Sequence, residues 1–105
     1  GAGNDQITGG LGADDLSGGA DSDIFIYESS ADSLAGSSDI IQDFEVSVDD
    51  IDLSALSTEG VSSIADLTIS YDNIADVTNV AANNNDLLIQ LNGDIALTGT
   101  DFIFA

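Results

Sequence analysis

Asp5, Asp14 and Asp23 recur at nine-residue intervals, each preceded by glycines and each two residues before an apolar side chain (Ile7, Leu16 and Phe25). The complete copy is Gly9-Gly10-Leu11-Gly12-Ala13-Asp14-Asp15-Leu16-Ser17. Before it stands Gly1-Ala2-Gly3-Asn4-Asp5-Gln6-Ile7-Thr8, short of its leading glycine. After it comes Gly18-Gly19-Ala20-Asp21-Ser22-Asp23-Ile24-Phe25-Ile26, with Asp21 in place of the fourth-position glycine. The 105 residues contain no Lys, Arg or His, and the formal net charge is −20. Carboxylates repeated on tight glycine turns, with no cationic side chain to pair them, call for a metal ion.

The pattern G-G-x-G-x-D-x-U-x is that of a calcium-binding β-helix repeat. Glycine at its first, second and fourth positions accepts left-handed backbone without a Cβ clash, so the turn can aim carbonyl oxygens inward. The sixth-position Asp adds a carboxylate, and the eighth-position apolar residue ends a short strand facing the core. Calcium takes roughly 6–8 oxygen ligands in flexible geometry, which such turns can supply; magnesium demands a near-octahedral shell and holds its waters. Zinc would want Cys or His, and the chain has neither. The expected ligand set is therefore calcium on the turn residues Gly1, Gly3, Gly10, Gly12 and Gly19 and the carboxylates of Asp5, Asp14 and Asp23.

Nine residues make half a turn of a flattened coil, so alternate repeats share an edge. The Asp5 turn is expected to stack over the Asp23 turn with one ion between them. The Asp14 turn lies on the opposite edge and needs a later partner, for which Asp39-x-x-x-Asp43 is the candidate. Asp21 is either an extra ligand or the mark where regular repetition ends, and the second reading is preferred. Asp15, at a variable position, is read as a solvated side chain.

Composition sets the bounds. The length suits one domain, and 43% hydrophobic residues suffice for a core. No apolar run approaches the roughly 18 residues of a spanning helix, so no membrane insertion is expected. Nucleic acid is disfavoured as a partner, because phosphate binding needs Lys and Arg. Without Cys there is no disulfide. No basic n-region of a signal peptide is present, and a start inside a repeat is what a piece of a longer chain would show. A general acidic surface would explain solubility, but not aspartates recurring every nine residues.

The elements that must position these turns are strands. Residues 1–27 hold the repeats. Residues 28–38 are small and polar and read as a loop. Period-two alternation in Asp39-Ile40-Ile41-Gln42-Asp43-Phe44 and Asp50-Ile51-Asp52-Leu53 argues strands, completing a loop-and-capping segment over 28–56. In the remaining segment, 57–105, Ser63-Ile64-Ala65-Asp66 has capping-box spacing. Leu67–Tyr71 reads as a strand, with a short one near Val77–Val80. Asn92-Gly93 between Leu87–Leu91 and Ile95–Thr98 predicts a hairpin with a type I′ turn. Asp101-Phe102-Ile103-Phe104-Ala105 reads as a final strand, and no long helical period occurs. The three segments are expected to form one all-β domain.

These residues resemble a known family. Residues 1–27 match the nonapeptides of RTX (repeats-in-toxin) proteins. The order Gly19-Ala20-Asp21-Ser22-Asp23-Ile24-Phe25-Ile26-Tyr27, then Asp39–Phe44, then Asp50–Ser54, is similar to the serralysin-type C-terminal domain. The resemblance implies a short right-handed parallel β-roll continuing into a β-sandwich-like C-terminal cap. It implies calcium on Asp5, Asp14 and Asp23, and less directly on Asp39 and Asp43. It also implies a larger exported protein that folds in extracellular calcium, with a type I secretion signal at the C-terminus recognised by that machinery. As an isolated piece the chain is expected to be monomeric.

Two other functions compete. Catalysis is poorly served: without His, Lys, Arg or Cys the usual nucleophile–base pairs and phosphate clamps are missing, although a parent protein could carry an enzyme upstream. An adhesin-type surface module binding glycan or ice is the alternative. Most of Phe25, Tyr27, Phe44, Tyr71, Phe102 and Phe104 lie at strand positions that read as core rather than as a sugar platform.

Overall fold

A computed structural model describes residues 5–8, 10, 12–19, 21–29, 32–34, 36–83 and 85–104. Among the described residues nine strands follow one another: β1 (Gln6–Ile7), β2 (Asp15–Leu16), β3 (Ile24–Ile26), β4 (Asp39–Ile41), β5 (Asp50–Asp52), β6 (Leu67–Asp72), β7 (Val77–Ala82), β8 (Leu88–Asn92) and β9 (Phe102–Ile103). They form two sheets in the orders β1-β3-β5-β9 and β2-β4-β8-β7-β6. The first five strands alternate between the sheets, which is the geometry of a flattened coil with each repeat as half a turn. Gln6 pairs with Ile24, so one full turn takes 24 − 6 = 18 residues. Later turns carry longer excursions: Asp15 pairs with Ile40 and Ile24 with Asp50.

The four-stranded sheet is parallel throughout. In the other sheet β2, β4 and β8 are parallel, and β8-β7-β6 is antiparallel. β5 and β9 thus continue the sheet that β1 and β3 begin. Eighth-position residues and their counterparts meet between the sheets: Leu16, Phe25, Ile41, Ile51, Ile89 and Phe102 belong to one core. The short strands of this roll alternate inward apolar with outward residues, as in Asp15-Leu16 and Asp50-Ile51-Asp52, which suits sheets covered on one face.

The turns show why particular residue types were needed. Second- and fourth-position glycines take left-handed backbone: Gly10 (φ 76°), Gly12 (φ 91°) and Gly19 (φ 85°). Asp21 keeps the same conformation at φ 71°, which Asp tolerates better than most residues. Its substitution for glycine therefore leaves the turn intact, and the coil continues beyond it into β5. First-position Gly18 differs, because no positive φ is required there. A Cβ on Gly18 would lie 2.7 Å from Asp23 Cγ, so the sixth-position carboxylate folds back over a residue that must lack a side chain.

The expected capping box forms at Ser63 and Asp66, opening a single 3-10 turn over Ile64–Asp66. A 3-10 segment over Ser54–Glu59, closed by Gly60 at φ 89°, had no periodic signal in the sequence. The hairpin expected at Asn92-Gly93 does not form. Gly93 is left-handed (φ 89°) but Asn92 is not, so no type I′ turn exists there. β8 already has β4 on one side and β7 on the other, leaving residues 94–98 no open edge to pair with. The hairpins are instead β6–β7 and β7–β8, and residues 94–98 carry the chain across to β9 in the opposite sheet.

Candidate metal centre

The sixth-position aspartates stack one coil above another. On one edge the Asp5 N–H donates to Asp23 Oδ1 at 2.9 Å, and the Asp23 N–H donates to Asp49 Oδ1 at 2.9 Å. On the other edge the Asp14 N–H donates to Asp39 Oδ1 at 2.8 Å. Each carboxylate thereby bridges to the backbone of the turn one coil earlier. The two expected edge partnerships, Asp5 with Asp23 and Asp14 with Asp39, are both present.

Asp43 goes elsewhere. It accepts hydrogen bonds from the N–H groups of Gly18 and Gly19, at 2.9 and 2.7 Å. Asp39 opens β4 and Asp43 lies two residues beyond its end, so the pair leaves the strand toward opposite edges. The shared site expected for Asp39 and Asp43 is therefore not formed. Asp21 is exposed, and Gly1 and Gly3 lie outside the described residues. Asp15, read as solvated, is exposed and accepts from Gln42 Nε2 at 2.6 Å.

Hydrogen bonding sorts the acids into two kinds. Asp49 is fully occupied by backbone, accepting from Asp23 at Oδ1 and from Glu45 at Oδ2, the latter at 2.9 Å. Asp101 accepts from Ser47 and Thr98, at 2.8 and 2.9 Å. Asp43 is held by two glycine N–H groups. These carboxylates act as staples between turns. Asp14, Asp23 and Asp39 differ: in each, Oδ2 is buried and has no hydrogen-bond partner. Asp23 and Asp39 are completely buried residues.

A buried carboxylate oxygen without a donor is costly, and proteins resolve it by pairing, protonation or a metal. Pairing is excluded here, since no cationic side chain exists. Burial is the largest influence on Asp39 and pushes its carboxyl up to about 6, despite the opposing hydrogen bond from Asp14. A divalent cation would reverse that preference and hold the group ionised. Among the described residues no three acidic side chains converge on one point. Two carboxylates per pair of stacked turns, supplemented by turn carbonyls, is the arrangement available, and it suits a hard, oxygen-seeking ion of flexible geometry.

Tyr27 was overlooked as anything but core. Its side chain is 1% exposed, yet its hydroxyl has no hydrogen-bond partner of good geometry. Asp39 is its strongest electrostatic neighbour, and Asp14 lies in the same group. Asp49 was missed as the next member of the Asp5–Asp23 stack. The signal was there: Glu45-Val46-Ser47-Val48-Asp49-Asp50-Ile51 keeps the Asp-x-apolar ending of the repeat, and Ser47 keeps the left-handed fourth position at φ 64°. The missing glycines hid it.

The comparisons with known proteins agree with this geometry. No curated protein sequence matches the chain. The R2 subunit of the AlgE6 mannuronan C5-epimerase of Azotobacter vinelandii is similar in structure at a TM-score of 0.75 and 29% identity, over 97% of this chain and 71% of that one. The R3 subunit of the same epimerase superposes at a TM-score of 0.75 and 32% identity, over 99% of this chain and 65% of that one. Both are R-modules of an enzyme. A family model described as "Peptidase M10 serralysin C terminal" matches residues 1–105. The chain therefore belongs to the serralysin-type C-terminal domains, a family of non-catalytic RTX β-rolls of the calcium-binding kind, found in secreted proteins.

Proposed function

We propose that this chain is a calcium-responsive folding module of a larger exported protein, with ions seated between the stacked turns at Asp5/Asp23 and at Asp14/Asp39. The observation that supports it most is the set of buried, donorless Oδ2 atoms on Asp14, Asp23 and Asp39 in a chain devoid of positive side chains. Turn carbonyls, with Gly10, Gly12 and Gly19 shaping the turns and Gly1 and Gly3 in the equivalent positions of the first repeat, complete the proposed ligand sets. Asp21 is retained as an outer candidate, and Asp43 acts as a staple between turns.

In low calcium the like charges drive the coils apart, and the glycine-rich turns gain much entropy by unfolding. In millimolar calcium the ions hold the coils together. Such a switch suits passage through a type I exporter in an extended state, followed by folding outside the cell. The terminal Asp101–Phe104 segment is the proposed export signal.

Circular dichroism tests the folding step directly. The chain in EDTA should lose the β signal of its first coils and regain it on adding millimolar calcium, with magnesium a weak substitute. Identical spectra in EDTA and calcium would rule the reading out.

A further inference from the structure

The Asp14/Asp39 edge contains one polar group that neither the backbone nor the acids account for. Tyr27 follows β3 and is anchored by its own N–H to Asp52 O at 3.1 Å. Its ring packs into the core. Its hydroxyl ends beside the Asp39 carboxylate, with Asp14 and Asp32 the next nearest negative groups. Asp39 Oδ1 is taken by the Asp14 N–H, which leaves Oδ2 for other partners. The phenol oxygen, Asp39 Oδ2 and Asp14 Oδ2 are all buried without a hydrogen bond of good geometry, although the phenol lies near enough to Asp39 to favour its ionised form.

A phenylalanine would fill the ring space equally well. It would also avoid a buried hydroxyl, whose desolvation without a partner is unfavourable. In the metal-free fold the hydroxyl returns little for its burial, since it lies beside Asp39 without the alignment of a good hydrogen bond. Beside a cation on Asp39 Oδ2 it becomes an asset, because an O–H donor can use the second lone pair of that oxygen while Oδ1 accepts from Asp14. Outer-sphere donors of this sort orient the ligating group and raise its affinity for metal.

We infer that Tyr27 is a positioning residue of the Asp14/Asp39 calcium site, its hydroxyl donating to the Asp39 carboxylate when the ion is bound. This rests on the calcium reading above and deepens it, distinguishing the two edges chemically. The Asp14/Asp39 site has a phenol behind it. No tyrosine stands behind the Asp5/Asp23 site, because Tyr71, the other tyrosine, lies on the exposed edge strand β6.

The experiment compares the 105-residue chain with Tyr27→Phe, using Tyr71→Phe as a control, by calcium titration calorimetry and by melting in EDTA and in calcium. Tyr27→Phe is expected to weaken one class of site by roughly tenfold or more, as outer-sphere losses do, and to leave the other class unchanged. In EDTA the same variant should melt no lower than wild type, since only an unsatisfied hydroxyl has gone. In the Tyr71→Phe background, Tyr27 emission should change on adding calcium. A Tyr27→Phe protein with wild-type affinity at every site overturns the inference while leaving the calcium reading intact. Equal destabilisation with and without calcium also overturns it, showing that the hydroxyl serves packing alone. A wild-type chain that takes up no calcium overturns both.

Discussion

The backbone N–H of Asp14 donates to Oδ1 of Asp39 at 2.8 Å across 25 residues of chain. The bond fixes how far apart two successive turns on that edge can sit. It also leaves Oδ2 of Asp39 buried without a donor, as is Oδ2 of Asp14. Removing charge and removing metal should therefore act in opposite senses on this edge and on its counterpart at Asp23.

Asp23→Asn separates the two effects. The amide oxygen can still accept from the Asp5 N–H, while the buried negative charge is gone. In EDTA the variant should be at least as stable as wild type. In calcium at roughly a hundredfold excess over Kd it should fall short by about 2–3 kcal/mol, the contribution of one saturated site. Parallel urea titrations in the two buffers measure both.

Gly18→Ala tests the steric role of the first-position glycine. The new methyl would collide with the Asp23 carboxylate, a group that cannot swing away without breaking its bond to Asp5. A loss of about 1–3 kcal/mol is expected, as for overpacking elsewhere, together with weaker calcium binding. A variant that binds and melts like wild type would show that the carboxylate has room to move.

Acid should stabilise the metal-free fold. The Asp39 carboxyl stands at about 6 in the folded chain, raised chiefly by burial from an ordinary value of 3.8; Asp49 is raised for the same reason. Between those limits the folded form holds a proton that the unfolded form has released. Its stabilising contribution is complete below the unfolded value and disappears as pH rises through about 6. Calcium affinity should climb over the same window, because the ligand must be ionised. Melting in EDTA from pH 4 to 7, against calcium titrations over the same range, should give slopes of opposite sign.

Asp101→Ala should loosen the last strand. Its buried carboxylate takes the N–H groups of Ser47 and Thr98, so truncation removes two charge-assisted hydrogen bonds between turns at a cost of about 1–3 kcal/mol. Hydrogen exchange should rise first at 101–103 and at the 45–49 turn. Wild-type protection at Ser47 would mean that this staple carries nothing.

Chelation should open the chain unevenly. Among the described residues the last buried carboxylate oxygen without a partner is on Asp39, whereas Asp49, Asp66 and Asp101 are satisfied by backbone N–H groups. Hydrogen exchange in EDTA should therefore expose β1–β3 well before the β6–β8 hairpins. Uniform exposure would show that the ions hold the whole domain together rather than its first coils.

Much of this was legible in the residues. Nine-residue spacing put Asp5 over Asp23, because a fixed period carries its own geometry. The Asp14–Asp39 partnership could also be read, since Asp39-Ile40-Ile41 repeats the Asp-x-apolar ending. Asp43 misled, because equal spacing on a strand face says nothing about which end of a three-residue strand a side chain leaves. Asn92-Gly93 misled for a non-local reason: a turn signal cannot know that both sides of its strand will be taken by β4 and β7. Asp49 hid because Ser47 reaches the left-handed region without glycine. Whether a buried Tyr27 hydroxyl finds a partner is a three-dimensional property that spacing does not encode.

The order of the strands also governs how the polypeptide can be made. Asp39 waits for Ile89 and Ile51 waits for Phe102 before either pairing can form. At about 5–20 residues per second of translation, the intervening fifty residues take several seconds to emerge. During that interval β4 and β5 each present an unpartnered side, and no local hairpin can close it for them. Neither sheet can therefore be completed until β8 and β9 have been synthesised, although the β1–β3 pair and the β6–β7 hairpin need no later strand.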